Sequence, residues 1–206
     1  MQLLLASSNK KKLRELEALL GPLGVELRTP ADLDGLPEVE EDRPDFAGNA
    51  AKKASSAARA TGLWSLADDS GLEVDHLDGA PGVNSARYAG AHGDDAANNA
   101  RLLRELAGVA SEERGARFVC ALALAQPDGT LAAEIQGSCR GRILEAPRGN
   151  GDFGYDPLFL FVEEGFEATG KGFAELEPEA KSAVSHRGRA LRALASQLTE
   201  LLAQEA

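Results

Sequence analysis

The first apolar run, Gln2 to Ala6, is short and continuous, the pattern of a buried strand. Ser7-Ser8-Asn9 then supplies N-cap chemistry, and a helix is predicted from Lys10 with Leu13, Leu16 and Leu20 on one face. Gly24 to Arg28 reads as a second strand. Phe46 to Thr61, rich in alanine and stopped by Gly62, reads as a long helix. Gly62-Leu63-Trp64-Ser65 then reads as a buried strand leading into Leu66-Ala67-Asp68-Asp69-Ser70. Gly71 is expected to end it in a turn before alternation resumes over Leu72 to Asp75. A turn at Gly79 to Val83 and a loop through Ser85-Ala86-Arg87-Tyr88 precede a helix from Asp94 to Gly108, with Leu102, Leu103 and Leu106 inward. Arg117 to Gln126 and Thr130 to Arg142 form two long strands joined by Pro127-Asp128-Gly129, a hairpin signal. The last helix spans Glu177 to Leu202 with a buried stripe of Leu191, Leu194, Leu198 and Leu201. Lys181 and Ser185 share a face of it, but His186 and Arg187 do not, so a break is expected near Ser185. The pattern is α/β, with an antiparallel element added to a βαβ-like beginning.

Composition narrows the class. With 206 residues, 43% hydrophobic and 27% charged, the chain has an ordinary globular balance and enough length for a substantial core. No apolar run approaches the roughly 20 residues of a membrane span. The N-terminal run is too short for a signal peptide and has no basic leader, so a cytoplasmic protein is expected. A net charge of -11 argues against a general nucleic-acid binder, while leaving room for a small anionic substrate where basic residues cluster. Cys120 and Cys139 have no Cys-x-x-Cys spacing and are expected as buried free thiols. None of the three histidines forms a ligand-spaced pair, so any metal must be held mainly by oxygen.

Three stretches carry candidate chemistry. Asp68-Asp69 sits at the end of an apolar run, where a carboxylate must be paired or hold a cation. An aspartate-capped turn accounts for it as well as a Mg²⁺ site does. Lys10-Lys11-Lys12 opens a helix after a strand and a polar turn, where the helix dipole favours anions. Cations are misplaced there unless a polyphosphate answers them; a solvated basic face is the alternative. Phe153-Gly154-Tyr155-Asp156-Pro157 offers a ring to stack on a flat base and a carboxylate for its edge, or simply two core aromatics around a turn. The acidic run Glu38 to Asp42 is a solvated loop or the source of a second metal carboxylate.

Two further motifs fail on context. Gly149-Asn150-Gly151-Asp152-Phe153-Gly154 matches a dinucleotide fingerprint, but a strand-like run follows where a helix is required. Gly165 to Lys171 begins like a phosphate-binding P-loop, but Gly172 stands where a Ser or Thr must be.

Together these stretches resemble the inosine triphosphate pyrophosphatases, the Ham1-type noncanonical purine nucleoside triphosphate pyrophosphatases. The resemblance runs from Leu3 to about Leu194. It rests on Ser7 to Lys12, Phe46-Ala47-Gly48-Asn49-Ala50-Ala51-Lys52-Lys53-Ala54, Ala67 to Leu72, Gly79 to Gly82, Ser85 to Tyr88, Phe153 to Pro157 and Lys181 to Arg187, in that order and spacing. It implies one domain over residues 1–206, with an α/β fold of two lobes around a long mixed sheet flanked by helices. The substrate would lie in the cleft between the lobes, and the assembly would be a homodimer. It implies hydrolysis of ITP, dITP and XTP to the monophosphate and pyrophosphate with Mg²⁺, removing them from the nucleotide pool. By position, Ser7, Ser8, Asn9, Lys10, Lys11 and Lys12 would cradle the triphosphate, with Lys53 near it. Asp69 would be the general base and a metal ligand, Glu40 the second metal carboxylate, and Ser70 a substrate contact. Phe153, Gly154, Tyr155, Asp156, Lys181, His186 and Arg187 would hold base and sugar. Hypoxanthine and xanthine carry a 6-oxo group where adenine carries an amine, so donors such as Arg187 and His186 would favour them.

Departures from the family pattern sit near the carboxylates. Ser8 replaces a glycine, Gly48 replaces a glutamate, and Asp42-Arg43 replaces Thr-Gly, which leaves Glu40 or Glu41 open as the metal ligand. Two rival readings are a Maf-type pyrophosphatase for pyrimidine nucleotides and a nucleotide-binding module without catalysis. The strings Phe153 to Asp156 and His186-Arg187 argue against the first, and the presence of Asp69, Lys12 and Lys53 against the second.

Overall fold

The computed structural model describes residues 1–7, 13, 16, 17, 20–33, 35–151 and 153–204. Among them run β1 (Gln2–Leu5), β2 (Glu26–Arg28), α1 (Phe46–Thr61), β3 (Trp64–Val74), α2 (Asp95–Glu105), β4 (Gly115–Ala125), β5 (Leu131–Ile143), β6 (Phe159–Phe161), α3 (Pro178–Val184) and α4 (His186–Gln204). The strands form one sheet in the order β2-β1-β3-β4-β5-β6. The sheet is mixed: β1 is parallel to β2 and to β3, whereas β5 and β6 are antiparallel. Interior position explains the sequence of β1. With strands on both sides and no face turned to water, Leu3, Leu4 and Leu5 are all buried and no alternation shows. In β5 alternation survives, with Ile135, Cys139 and Ile143 buried and Glu134, Gln136 and Arg140 exposed.

The chain divides into two compact units. One comprises Met1–Asp69, Cys120–Gln136 and Ala190–Ala206; the other comprises Ser70–Val119 and Gly137–Arg189. Each has its own core. The first packs Leu3, Leu5, Leu16, Leu20, Leu66, Leu122, Leu124, Leu191, Leu194 and Leu198 together. The second is aromatic: the Phe173 ring meets those of Phe118, Phe159 and Phe161, Phe118 also meets Phe159, and Leu72, Leu102 and Leu106 belong to the same cluster.

Two local outcomes bear on the site. The strand carrying the paired aspartates does not turn at Gly71; β3 continues to Val74. Ladder pairing along an eleven-residue strand outweighs the local preference of one glycine. Asp68 and Asp69 therefore stand within a strand, on opposite faces, and not at its end. The last helix does break at Ser185, whose extended backbone (φ -69°, ψ 155°) separates α3 from α4. The Ser185 hydroxyl accepts a hydrogen bond from Gly188 N–H at 3.1 Å, capping the new helix. No helix among the described residues is long and apolar enough to cross a membrane.

Candidate active site

Within the first unit the site is built on α1. Asp45 caps it, its Oδ1 accepting from Gly48 N–H at 2.7 Å, and Gly62 closes it in a left-handed turn. Small alanines on the buried face seat the helix closely: Ala50, Ala54, Ala57 and Ala58 are buried along with Phe46. Asn49 lies fully buried among them, one turn before Lys53 on the same face. Its amide joins two segments. Asn49 Nδ2 donates to Asp69 Oδ2 at 3.0 Å, and Asn49 Oδ1 accepts from Arg43 N–H at 3.0 Å.

Lys53 completes the cluster. Its ammonium is 2.7 Å from Glu41 Oε1 and 3.7 Å from Asp69 Oδ1, with all three side chains largely screened from solvent. Two carboxylates against one ammonium leave a net negative charge among oxygen donors. That is the donor chemistry of a hard cation, so Glu41 and Asp69 fit Mg²⁺. Glu40 makes a different contact. Its carbonyl accepts from Lys52 Nζ at 2.8 Å, and it lines a separate groove of about 1080 Å³ with Lys52, Arg43 and Arg59. Neither Glu41, Lys53 nor Asp69 lines that groove. Lys52 also reaches Asp42 Oδ1 at 2.8 Å, and that bond holds the Asp42 carboxyl below its usual range. Asn49, Lys52 and Lys53 thus secure the acidic segment 40–43 to the helix. Of the two candidates Glu40 and Glu41, it is Glu41 whose carboxylate meets Lys53 beside Asp69.

The second unit carries the aromatic stretch. Phe153 is the exposed ring, 45% accessible, while Tyr155 and Asp156 are buried. Tyr155 OH donates to Ser85 O at 2.8 Å. Burial, with the neighbouring Tyr88 and Asp95 charges, raises the Tyr155 phenol well above its ordinary value, so it stays a donor. Lys181, on α3, forms an ion pair with Asp156 and sits 5.7 Å from the Phe153 ring centre and 5.6 Å from that of Phe173. His186 opens α4 with its ring stacked on Phe118 at 4.8 Å and Nδ1 4.0 Å from Cys139 Sγ. Arg187 follows it, partly buried, and Ser70 is partly buried beside Asp69 on β3. Ser7 follows β1, its N–H donating to Leu5 O at 2.8 Å. Ser8, Asn9, Lys10, Lys11 and Lys12 lie outside the described residues. Sequence reasoning missed Asn49 as the residue that orients Asp69. Its signal was a polar side chain four residues before Lys53, on the face of the helix otherwise made of Phe46 and alanines.

A family model decides the relationship: the Ham1 family matches residues 3–197. The chain belongs to the Ham1 family. It is 54% identical over 197 residues to the dITP/XTP pyrophosphatase of Geobacter sulfurreducens, covering 96% of either chain. It is 52% identical over 192 residues to the dITP/XTP pyrophosphatase of Desulforamulus reducens, covering 93% of this chain and 92% of the relative. Among solved structures it is similar to a HAM1 protein from Coxiella burnetii, with a TM-score of 0.89 at 39% identity over 97% of this chain and 99% of that one. A Nucleoside-triphosphatase / dITP/XTP pyrophosphatase from Mycobacterium abscessus gives a TM-score of 0.79 at 48% identity over 94% and 98%.

Proposed function

We propose that this protein hydrolyses noncanonical purine nucleoside triphosphates, dITP, ITP and XTP, to the monophosphate and pyrophosphate. The observation that carries the reading is the cluster in which Asn49 orients Asp69 while Lys53 joins it to Glu41. The names of relatives about half identical over nearly the whole chain support the substrate class.

Each residue has a task that its chemistry suits. Asp69 takes the proton of the attacking water at a carboxylate oxygen. Its orientation is set by the Asn49 amide. Lys53 lowers the repulsion between Asp69 and Glu41 and, with Lys10, Lys11 and Lys12, opposes the charge that grows on the departing pyrophosphate. Glu41 and Asp69 would hold Mg²⁺, which when bound gathers phosphate oxygens and eases the deprotonation of water. Phe153 stacks on the purine, and Lys181, Asp156, His186 and Arg187 supply polar contacts around base and sugar. The protein acts as a homodimer in the cytoplasm, with no nucleic-acid or membrane partner.

The test is pyrophosphate release from dITP, XTP, ITP, GTP, ATP and dTTP with Mg²⁺, with and without EDTA, on wild type and Asp69→Asn. A preference for dITP, ITP and XTP that EDTA abolishes, with turnover lost in Asp69→Asn, supports the reading. Preference for dTTP would turn it to pyrimidine nucleotides. Binding of ITP without release from any substrate would replace catalysis by a nucleotide-binding role.

A further inference from the structure

The loop after Phe153 is held from a direction that the substrate contacts do not require. Gly154 takes a left-handed backbone (φ 56°), open to glycine at no steric penalty. Both of its main-chain polar groups are engaged by one helix. Gly154 N–H donates to Asp95 Oδ2 at 2.8 Å, and Asn99 Nδ2 donates to Gly154 O at 2.8 Å. Asp95 and Asn99 are four residues apart on α2 and so share a face.

Neither side chain is needed by its own helix. Asp94 is the cap, its Oδ1 accepting from Ala97 N–H at 3.0 Å. The amide of Asn99 has only one useful orientation: turned over, its oxygen would face the carbonyl of Gly154. In the observed orientation Asn99 Oδ1 is buried and has no hydrogen-bond partner among the described residues. The acceptor is left unmet so that the NH₂ can reach Gly154.

The same helix steadies the next residue as well. Asn98 accepts from Ala89 N–H at 2.7 Å and donates to Ala86 O at 3.3 Å, fixing the segment whose Ser85 O receives the Tyr155 hydroxyl. Gly154, Tyr155 and Asp156 are therefore each tied down, and Phe153 is the member of the stretch left facing solvent.

We infer that Asp95 and Asn99 are positioning residues for purine recognition: by clamping Gly154 they set where the Phe153 ring stands. The inference rests on the reading of Phe153 as the ring that stacks on the base. A one-residue anchor suits this task, because stacking depends on ring placement to a fraction of an ångström while the chemistry at phosphorus does not involve the base.

The test uses Asp95→Ala, Asp95→Asn, Asn99→Asp and Phe153→Ala in the full chain. Substrates are dITP, dATP and deoxyribose 5′-triphosphate without a base. Asn99→Asp removes the donor and sets a carboxylate against a carbonyl; Asp95→Asn keeps an oxygen acceptor. Asp95→Ala and Asn99→Asp should raise KM for dITP by about tenfold, the scale of one lost hydrogen bond, while kcat moves little. They should narrow the preference for dITP over dATP and leave the base-free substrate unaffected. Asp95→Asn should restore KM.

If Phe153→Ala raises KM for dITP but the clamp variants do not, the clamp has no role in recognition. If Phe153→Ala leaves KM unchanged, the stacking reading falls and this inference with it. Equal losses on the base-free substrate would mean general damage and overturn the proposal. Hydrogen exchange at the Gly154 amide in wild type needs no variant: protection is expected, and exchange at the rate of an open loop would overturn it.

Discussion

Asn49 donates to Asp69 Oδ2 across 3.0 Å from a position with no solvent access. The same amide accepts from Arg43 N–H, so a single side chain sets both the proposed base and the acidic segment beside it. Asn49→Ala should lower kcat/KM for dITP by about 10- to 100-fold, the range for a hydrogen bond to a charged group. It should also cost about 1–3 kcal/mol of stability, because Arg43 N–H loses its partner. Steady-state pyrophosphate release and urea unfolding check both parts. Activity within twofold of wild type would remove Asn49 from the site.

Arg43 and Gly48, two of the departures from the family pattern, are neighbours in space. A Cβ built on Gly48 would stand 2.9 Å from Arg43 Cβ and 3.2 Å from Asp45 Oδ1. Alanine normally stabilises a helix interior over glycine by about 0.5–1 kcal/mol. Here Gly48→Ala should destabilise by about 1 kcal/mol or more through overpacking. In an Arg43→Gly background the same change should become neutral or stabilising. A double-mutant cycle read by denaturant unfolding gives the coupling. Additive effects would mean that Arg43 moves aside freely.

Arg114 is buried with its guanidinium on three main-chain carbonyls: Leu106 at 2.8 Å, Val109 at 3.1 Å and Leu144 at 3.1 Å. Leu106 caps the C-terminus of α2, where a cation is favoured. Arg114→Met leaves these acceptors to buried surroundings and should cost about 3 kcal/mol or more, lowering Tm by several degrees. Calorimetry decides it. Arg114→Lys should recover part of the loss, since an ammonium cannot present the same fork.

Burial pushes the Cys139 thiol up to about 12, with His186, Arg189 and Phe118 only partly opposing it. A thiol whose pKa is raised on folding is stabilising while neutral. That contribution is whole below the unfolded value of about 8.5 and fades as pH rises through the interval to the folded value. Native protein at pH 8 should therefore leave Cys139 and the equally buried Cys120 unlabelled by iodoacetamide, while denatured protein labels both. Mass spectrometry reads the count. Rapid native labelling of Cys139 would contradict its placement.

Much of this fold was legible because it depends on local rules. The boundaries of α1 follow from Asp45 before the alanine-rich run and Gly62 after it, and the break at Ser185 follows from a change of face between Lys181 and His186. The buried strands β1 and β4 announce themselves as continuous apolar runs. Gly71 misleads because its turn propensity is a local term, whereas strand continuation is decided by partners distant in sequence. The acidic segment stays open for a similar reason. Glu40 and Glu41 are chemically alike, and their difference arises only when Lys52 takes the Glu40 carbonyl and Lys53 the Glu41 carboxylate.

The sequence by itself determined that this is a Ham1-type α/β protein, and it singled out Asp69, Lys53 and Phe153 as candidates for the site. Those are ordered strings of residue types, and order survives in one dimension. Only the tertiary structure decided that Asn49 orients Asp69, that Glu41 shares its lysine, and that Asp95 and Asn99 clamp Gly154. Such pairings join residues 12 to 59 positions apart, and hydrogen bonds discriminate at tenths of an ångström, a scale at which sequence spacing carries no signal.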